Sequence, residues 1–422
     1  MFQCGFYEGD ITSNIGDLMP GGFGGRFAEI VRDKLYVSAF SAKTEKETAI
    51  IIILDTAMVE EEEAKAIREG ISERTGVPVS HINVSAIHTH GGGPFINIYT
   101  DVKDPEYCKF VVRRSIDAGT MAFLSMADAK IGVASKEVEG VSFTRRYLDV
   151  NGQVQNNPER MSPDIVKPLE EVDRELSVVR VDYADGRPMG MIANFALHPA
   201  QAHALKPNGI TADFPGVMRK TVKEKYGDEF AFMFIQGASG NVNARNAMAP
   251  KSEQKQYQEI GRILATEAMR LFSEIETHSS EIVRCVNHGF VGRTCRPTPD
   301  MVDDAQVSEN TKKEILKAMM LPNEDVEVDV STLRIGDLLI HFLPGEYFSY
   351  YSLYLKEKSP LPYTMVCELA NKKIGYICTK EAREMGGYDA TPSTYIIMDA
   401  DTGDFVLDAA MQNVRSLCCD KK

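Results

Sequence analysis

Several residues suited to metal or proton chemistry fall at the ends of apolar segments in this chain. Ile82-Asn83-Val84-Ser85-Ala86-Ile87 runs into His88-Thr89-His90 and then into Gly91-Gly92-Gly93-Pro94. Val and Ile recur without a breaker until the glycines, which predicts a strand. Side chains on a strand alternate faces with a period of two, so His88 and His90 are expected to project together from its end. A third histidine, His198, closes the apolar stretch that ends in Leu197, and Glu346 follows Leu338 to Leu343 through Pro344-Gly345. Metal hydrolases hold Zn²⁺ with two or three protein nitrogens and a carboxylate, leaving one position for water. His88, His198 and Glu346 supply that set. The competing reading of the histidine pair is two exposed loop residues.

The elements that must position these groups alternate in type. Ala49 to Leu54 reads as a strand buried on both faces, an acidic helix follows from about Val59 to Arg74, and the His88 strand comes next, a βαβ unit. Helical spacing covers Asp104 to Met126, Asp213 to Tyr226 with Asp213 as the N-cap, and Ser252 to Ile275. Strands are expected at Ala129 to Val138, at Phe230 to Gln236, near Glu281 to Val291 and at Met365 to Leu369. Two hairpins are expected as well, one turning at Ala184-Asp185-Gly186 and one at Ile335-Gly336-Asp337. The fold class is therefore α/β, a mixed β-sheet core with flanking helices. The glycine-rich run 20–26 is either a flexible arm or a loop lining the pocket. Arg296 to Glu309, polar and proline-bearing, is either a linker or a surface excursion.

Composition removes several function classes. The chain has 422 residues, 43% of them apolar, and a net charge of -14, which argues against nucleic acid and anionic membranes as partners. No apolar run is long enough to span a bilayer, so no stable membrane insertion is expected. The first residues lack the basic and apolar regions of a signal peptide. Eight cysteines without a CxxC pair suit reduced thiols. The expected location is cytoplasmic. HExxH, GxSxG, P-loop and GxGxxG motifs are missing.

Ile87-His88-Thr89-His90-Gly91-Gly92-Gly93-Pro94 resembles the THTHSGPGG segment of neutral and alkaline non-lysosomal ceramidases. Asn194-Phe195-Ala196-Leu197-His198 is similar to their NWFAVH, Leu343-Pro344-Gly345-Glu346 to their PGE, and Gly375-Tyr376-Ile377 through Gly387-Tyr388 to their tyrosine-bearing C-terminal block. The matches keep the family's order from Gly9 to about Thr391. The resemblance implies the fold of the neutral ceramidase catalytic domain over 1–422, one unit without the additional C-terminal β-domain. It further implies His88, His198, Glu346 and Tyr376 as ligands of one Zn²⁺ or other divalent ion, and His90 as the neighbour that handles protons. Arg145 and Tyr388 match groups that bind and polarise the scissile carbonyl, with Arg146 a second candidate for the arginine.

One position departs from the family. Its loop GDVSPN carries a serine, whereas this chain reads Gly240-Asn241-Val242-Asn243-Ala244, with Asn243 in the serine's place. Asparagine cannot form the acyl species a hydroxyl can, and Ser239 is not expected to face the same way. The expected function is zinc-dependent hydrolysis of an amide, ahead of an ester or lactone, in a small soluble substrate, with a metal-activated water as nucleophile. Two alternatives remain at this stage. One is a metal-dependent lyase or isomerase acting on a carbonyl or sugar-like substrate with His90 as base, and the other is a non-catalytic binding protein on the same scaffold. Oligomeric state is not legible.

Overall fold

The computed structural model describes residues 2–21, 25–302 and 307–418. Among these the principal element is an eight-stranded mixed sheet. Its strands are β1 (Gln3–Asp10), β2 (Tyr36–Lys43), β3 (Thr48–Leu54), β4 (Ile82–Ala86), β5 (Ala127–Glu137), β6 (Glu175–Tyr183), β7 (Pro188–Phe195) and β8 (Ala231–Gln236). Across the sheet they lie in the order β8-β7-β6-β5-β1-β2-β3-β4. The outer pairs, β7 with β8 and β3 with β4, are parallel, and the pairs between them are antiparallel. The expected βαβ unit is present, its crossover being helix α1 (Glu61–Thr75).

Helix α2 (Pro105–Leu124) packs beside α1, while α3 (Asp213–Tyr226) and α4 (Tyr257–Glu274) pack together elsewhere on the sheet. A four-stranded sheet follows, ordered β9 (Val283–Arg293), β10 (Asp325–Ile335), β11 (Leu338–Phe342) and β12 (Tyr363–Cys367). Helices α5 (Glu309–Met319), α6 (Ser349–Lys358) and α7 (Thr402–Cys418) accompany it. One hydrophobic cluster joins residues of both sheets, from Phe2 through Ile52 and Phe234 to Ile340 and Met365.

Five antiparallel steps separate β7 from β3, so by pairing the two edges of the large sheet run in opposite directions. Laid flat, eight strands would hold those edges roughly 33 Å apart, at about 4.8 Å per step. Yet residues 368–371 touch both. The Glu368 N–H donates to Gln236 O on β8 at 3.1 Å, and the Asn371 N–H donates to Val84 O on β4 at 2.8 Å. Three residues of chain reach no further than roughly 11 Å. The sheet is therefore rolled, and its right-handed twist, roughly 20–25° per pair, turns the formally opposed edges toward a common direction. This clasp leaves both parallel edges with their carboxyl ends at one place.

The structure corrects several expected boundaries. The β4 strand stops at Ala86, so His88 and His90 lie beyond it in a turn, and His198 lies three residues past β7. Asp213 is the first helical residue rather than the cap, which is Ala212. Its carboxylate accepts the Ala202 and Phe214 N–H groups instead, each at 2.7 Å. Helix α4 begins at Tyr257, five residues later than expected. Of the glycine run, 22–24 lie outside the described residues, and Gly21 faces the candidate site. Of 296–309, residues 303–306 lie outside them, and Glu309 opens α5, so the excursion reading fits better than a free linker.

The clasp can be tested directly. The Asn371 amide accepts the Val84 N–H at 2.9 Å and donates to Asn83 Oδ1 at 3.0 Å, from a left-handed backbone (φ 63°). Asn371→Ala should leave the Val84 N–H less well paired and destabilise the fold by about 1–3 kcal/mol, read as a lower urea midpoint. Asn371→Gly, which relieves the backbone but not the lost bonds, should recover only part of that.

Candidate active site

Where the rolled sheet closes, the chain leaves β4 and turns sharply. His88 adopts φ 68°, a left-handed conformation uncommon outside glycine. Its Nδ1–H donates to Ala57 O at 2.7 Å, which fixes the tautomer, since a carbonyl only accepts. Nε2 of the neutral ring then carries a lone pair, and it lies 3.0 Å from Glu346 Oε2. Neither atom has a hydrogen-bond partner of acceptable geometry, and both residues are 1% exposed. Two acceptor atoms so placed repel unless a proton or a cation lies between them.

Glu346 reaches this position through Gly345, whose φ of 97° suits glycine, and through a two-residue parallel pairing of Glu346–Tyr347 with Tyr376–Ile377. Its other oxygen, Oε1, accepts the Tyr395 hydroxyl. Burial alone would raise the Glu346 pKa, but His88, the Tyr395 hydroxyl and Arg145 hold it below the ordinary carboxylate value. For His88 burial favours the neutral ring, and the Glu346 charge overrides it, raising the pKa.

His90 and His198 complete the cluster. Their Nε2 atoms are 3.1 Å apart, and the His198 ring lies edge-on to His88 with centroids 4.3 Å apart. One nitrogen from each of His88, His90 and His198 falls within 4.8 Å of the others, an arrangement that could hold a metal ion. Burial first, then the charge of His88, lower the His90 and His198 pKa values well below the ordinary value, keeping both rings neutral as metal ligands must be. Arg145 Nη2 donates to His198 Nδ1 at 2.9 Å. The Ser239 carbonyl is also in reach of His198, and a ring that accepts from Arg145 at Nδ1 carries its proton on Nε2. His90, expected only as a proton carrier, is geometrically one of the three ligand-capable histidines.

Arg145 is buried and donates to Tyr376 Oη at 3.3 Å, to Tyr388 Oη, and to Val242 O at 2.9 Å. Its neighbour Arg146 points elsewhere, bonding Glu170 at 2.8 Å and Asp389 at 2.6 Å. Arg145 sits in the bend between two short strands, Phe143–Thr144 and Arg146–Asp149, and the change of direction there sends the two side chains apart, with Arg145 in the site and Arg146 behind it. Asn243 lines the cavity and donates to Asn157 Oδ1 at 2.7 Å. Ser239 donates to Glu368 Oε1 at 2.6 Å and takes no part in the lining, as its sequence position suggested.

All of His88, His90, Arg145, His198, Asn243, Glu346, Tyr376 and Tyr388 therefore border one cavity of about 270 Å³. Sequence reasoning missed Tyr395, Tyr99, His203, Asn157 and Glu314, which border it too. None stands beside a motif, and Tyr395 lies just past the last matched segment.

Fold and site define a hydrolase-like α/β protein of ceramidase type. The N-terminal model of the neutral/alkaline non-lysosomal ceramidase family matches residues 2–258, and the chain belongs to that family. Among solved structures it is similar to a ceramidase complexed with C2, with a TM-score of 0.75 and 14% identity over 99% of this chain and 75% of that one. It is equally similar to the neutral ceramidase of Pseudomonas aeruginosa, with a TM-score of 0.75 and 15% identity over the same shares. A comparison with curated proteins returns no match.

The donor set fits a divalent cation, and Tyr395 tests it from behind. Groups that orient a metal-ligating carboxylate typically contribute 10- to 100-fold in affinity. Tyr395→Phe should weaken zinc binding by that factor, read as a smaller rise in melting temperature at fixed free zinc than in the wild type. An unchanged rise would show that the Tyr395 hydroxyl does not orient a metal ligand.

Proposed function

We propose that this chain is a divalent-metal-dependent hydrolase of an amide bond, ahead of an ester or lactone, in a small soluble molecule. The observation that carries the reading is the pair of buried atoms His88 Nε2 and Glu346 Oε2, 3.0 Å apart on the cavity wall with neither given another partner. His88, His198 and Glu346, with Tyr376 completing the set, would hold one Zn²⁺ or a similar ion. Such an ion polarises a carbonyl and acidifies a bound water.

The remaining roles belong to the chain itself. Arg145 and Tyr388, mutually hydrogen-bonded and facing the cavity, are suited to donate to the carbonyl oxygen as negative charge develops on it. His90 is kept neutral by burial, which suits a group that accepts a proton from the attacking water and returns it to the leaving amine. Asn243 supplies no nucleophile; its amide and that of Asn157 can bind polar substrate atoms. Family membership supports amide chemistry, and the placement of the Asn243 amide, which cannot act as a nucleophile, beside Arg145 and Tyr388 on the cavity supports water as the nucleophile.

The whole chain is proposed to act as one catalytic unit in the cytoplasm, where buried thiols such as Cys4, Cys108 and Cys367 stay reduced. Among the described residues no helix is long and apolar enough to cross a membrane.

Turnover in H₂¹⁸O should place the label in the carboxylate product, whereas a lyase or isomerase would leave the product unlabelled. Arg145→Met should lower kcat by roughly 10²–10³. Asn243→Ala should stay within about tenfold of the wild type; a loss as large as that of Arg145→Met would make the amide part of the chemistry.

A further inference from the structure

One wall of the cavity has no part in the roles given above. It is formed by Thr311 and Glu314 on α5, by Tyr99, and by Ser393. Glu314 is a buried carboxylate on a cavity whose only other carboxylate lining residue among the described residues, Glu346, already faces His88 and Arg145. The two acids are held by consecutive residues, because the Thr394 hydroxyl donates to Glu314 Oε2 while the Tyr395 hydroxyl donates to Glu346 Oε1. One dipeptide thus sets the spacing between the metal-capable centre and a second anionic group.

Glu314 Oε1 takes one further bond, from Lys317 Nζ, whose side chain is 57% exposed. A carboxylate offers about four lone-pair sites, so two such bonds leave acceptor capacity. Beside it, Tyr99 sits in a left-handed backbone conformation (φ 53°), and its ring lies 5.9 Å from that of Tyr395. An aromatic ring and a carboxylate sharing a partly desolvated wall are the usual elements of ammonium recognition.

At about 270 Å³ the cavity lies at or below the lower end of ligand pockets, roughly 300–1,000 Å³, which limits its occupant to a compact molecule. The net charge of -14 favours approach of cations.

We propose that the substrate is a short amide carrying a protonated amino group, with Glu314 and Tyr99 binding the ammonium while Arg145 and Tyr388 take the carbonyl. This specificity rests on the amide-hydrolase reading. Glu314 is a specificity determinant and takes no part in bond cleavage.

The test uses zinc-loaded full-length protein and two matched series. In the first, N-acetylethylenediamine, N-acetylethanolamine and N-acetyl-β-alanine place a cationic, neutral or anionic end on the amine side. In the second, β-alaninamide, 3-hydroxypropionamide and succinamate place it on the acyl side. In at least one series kcat/KM should favour the cation at least tenfold over its neutral counterpart. Glu314→Gln, checked for an unchanged melting temperature, should bring that ratio near one while leaving the neutral compound's kcat within about twofold.

Turnover of neutral and cationic members at equal rates, or a preference that survives Glu314→Gln, overturns the inference and leaves the hydrolase reading in place. If no member is turned over, calorimetric titration with propylamine and with propanol decides the matter separately. Binding of the amine alone, lost in Glu314→Gln, upholds the ammonium site while the hydrolase reading falls. Equal binding of both, or no binding of the amine, overturns the ammonium site as well.

Discussion

A buried carboxylate and a buried imidazole nitrogen, each with a lone pair directed at the same small space, impose the condition that the rest of this structure meets. Without a proton or a cation between them, His88 Nε2 and Glu346 Oε2 would repel at 3.0 Å in a region water does not reach. The surroundings settle the acceptor character of the site rather than relieve it. Ala57 takes the other His88 nitrogen, Tyr395 takes the other Glu346 oxygen, and burial keeps His90 and His198 neutral. Acceptor atoms converge on a space that a proton or a cation must fill. Such a cluster could hold a metal ion, and Arg145 with Tyr388 places hydrogen-bond donors beside it.

The convergence depends on the rolling of the large sheet. His88 follows one parallel edge and His198 follows a strand of the other, so a flat sheet would keep them tens of ångströms apart. The clasp at 368–371 joins the edges and carries the neighbouring bonds as well. Leu369 N–H donates to Gly345 O at 2.9 Å, Ala370 N–H donates to Leu343 O at 2.9 Å, and Ser85 Oγ donates to Glu368 O at 2.6 Å. The end of the histidine strand and the approach to Glu346 are thus tied to one short segment, and positioning precision comes from rigid elements rather than from the loops alone.

Much of this was legible in the chain because apolar strands and their polar terminators leave a pattern of period two. His88, His198 and Glu346 were visible as chemistry placed after apolar runs, and the order of the ceramidase-like segments added Arg145, Tyr376 and Tyr388. What the pattern could not carry was geometry of long range. The turn at His88 is left-handed rather than pleated, so the histidines meet by a backbone reversal that no alternation predicts. The choice between Arg145 and Arg146 required knowing how the chain bends at Arg145, between two short strands. Tyr395 and Glu314 are ordinary members of a loop and a helix, and only the folded chain brings them to the cavity.

The histidines and Glu346, Arg145 with Tyr388, and the amides of Asn157 and Asn243 border one cavity of about 270 Å³. The claim underlying this account is that the histidine and carboxylate cluster holds a catalytic divalent ion, and its most direct measurement is elemental analysis of the purified chain paired with activity before and after chelation. The account predicts about one zinc or similar ion per chain, lost together with activity on chelation and not retained by folded His88→Ala or Glu346→Ala. A wild-type protein that hydrolyses its substrate with no bound metal, or variants that keep the full metal complement, would contradict it.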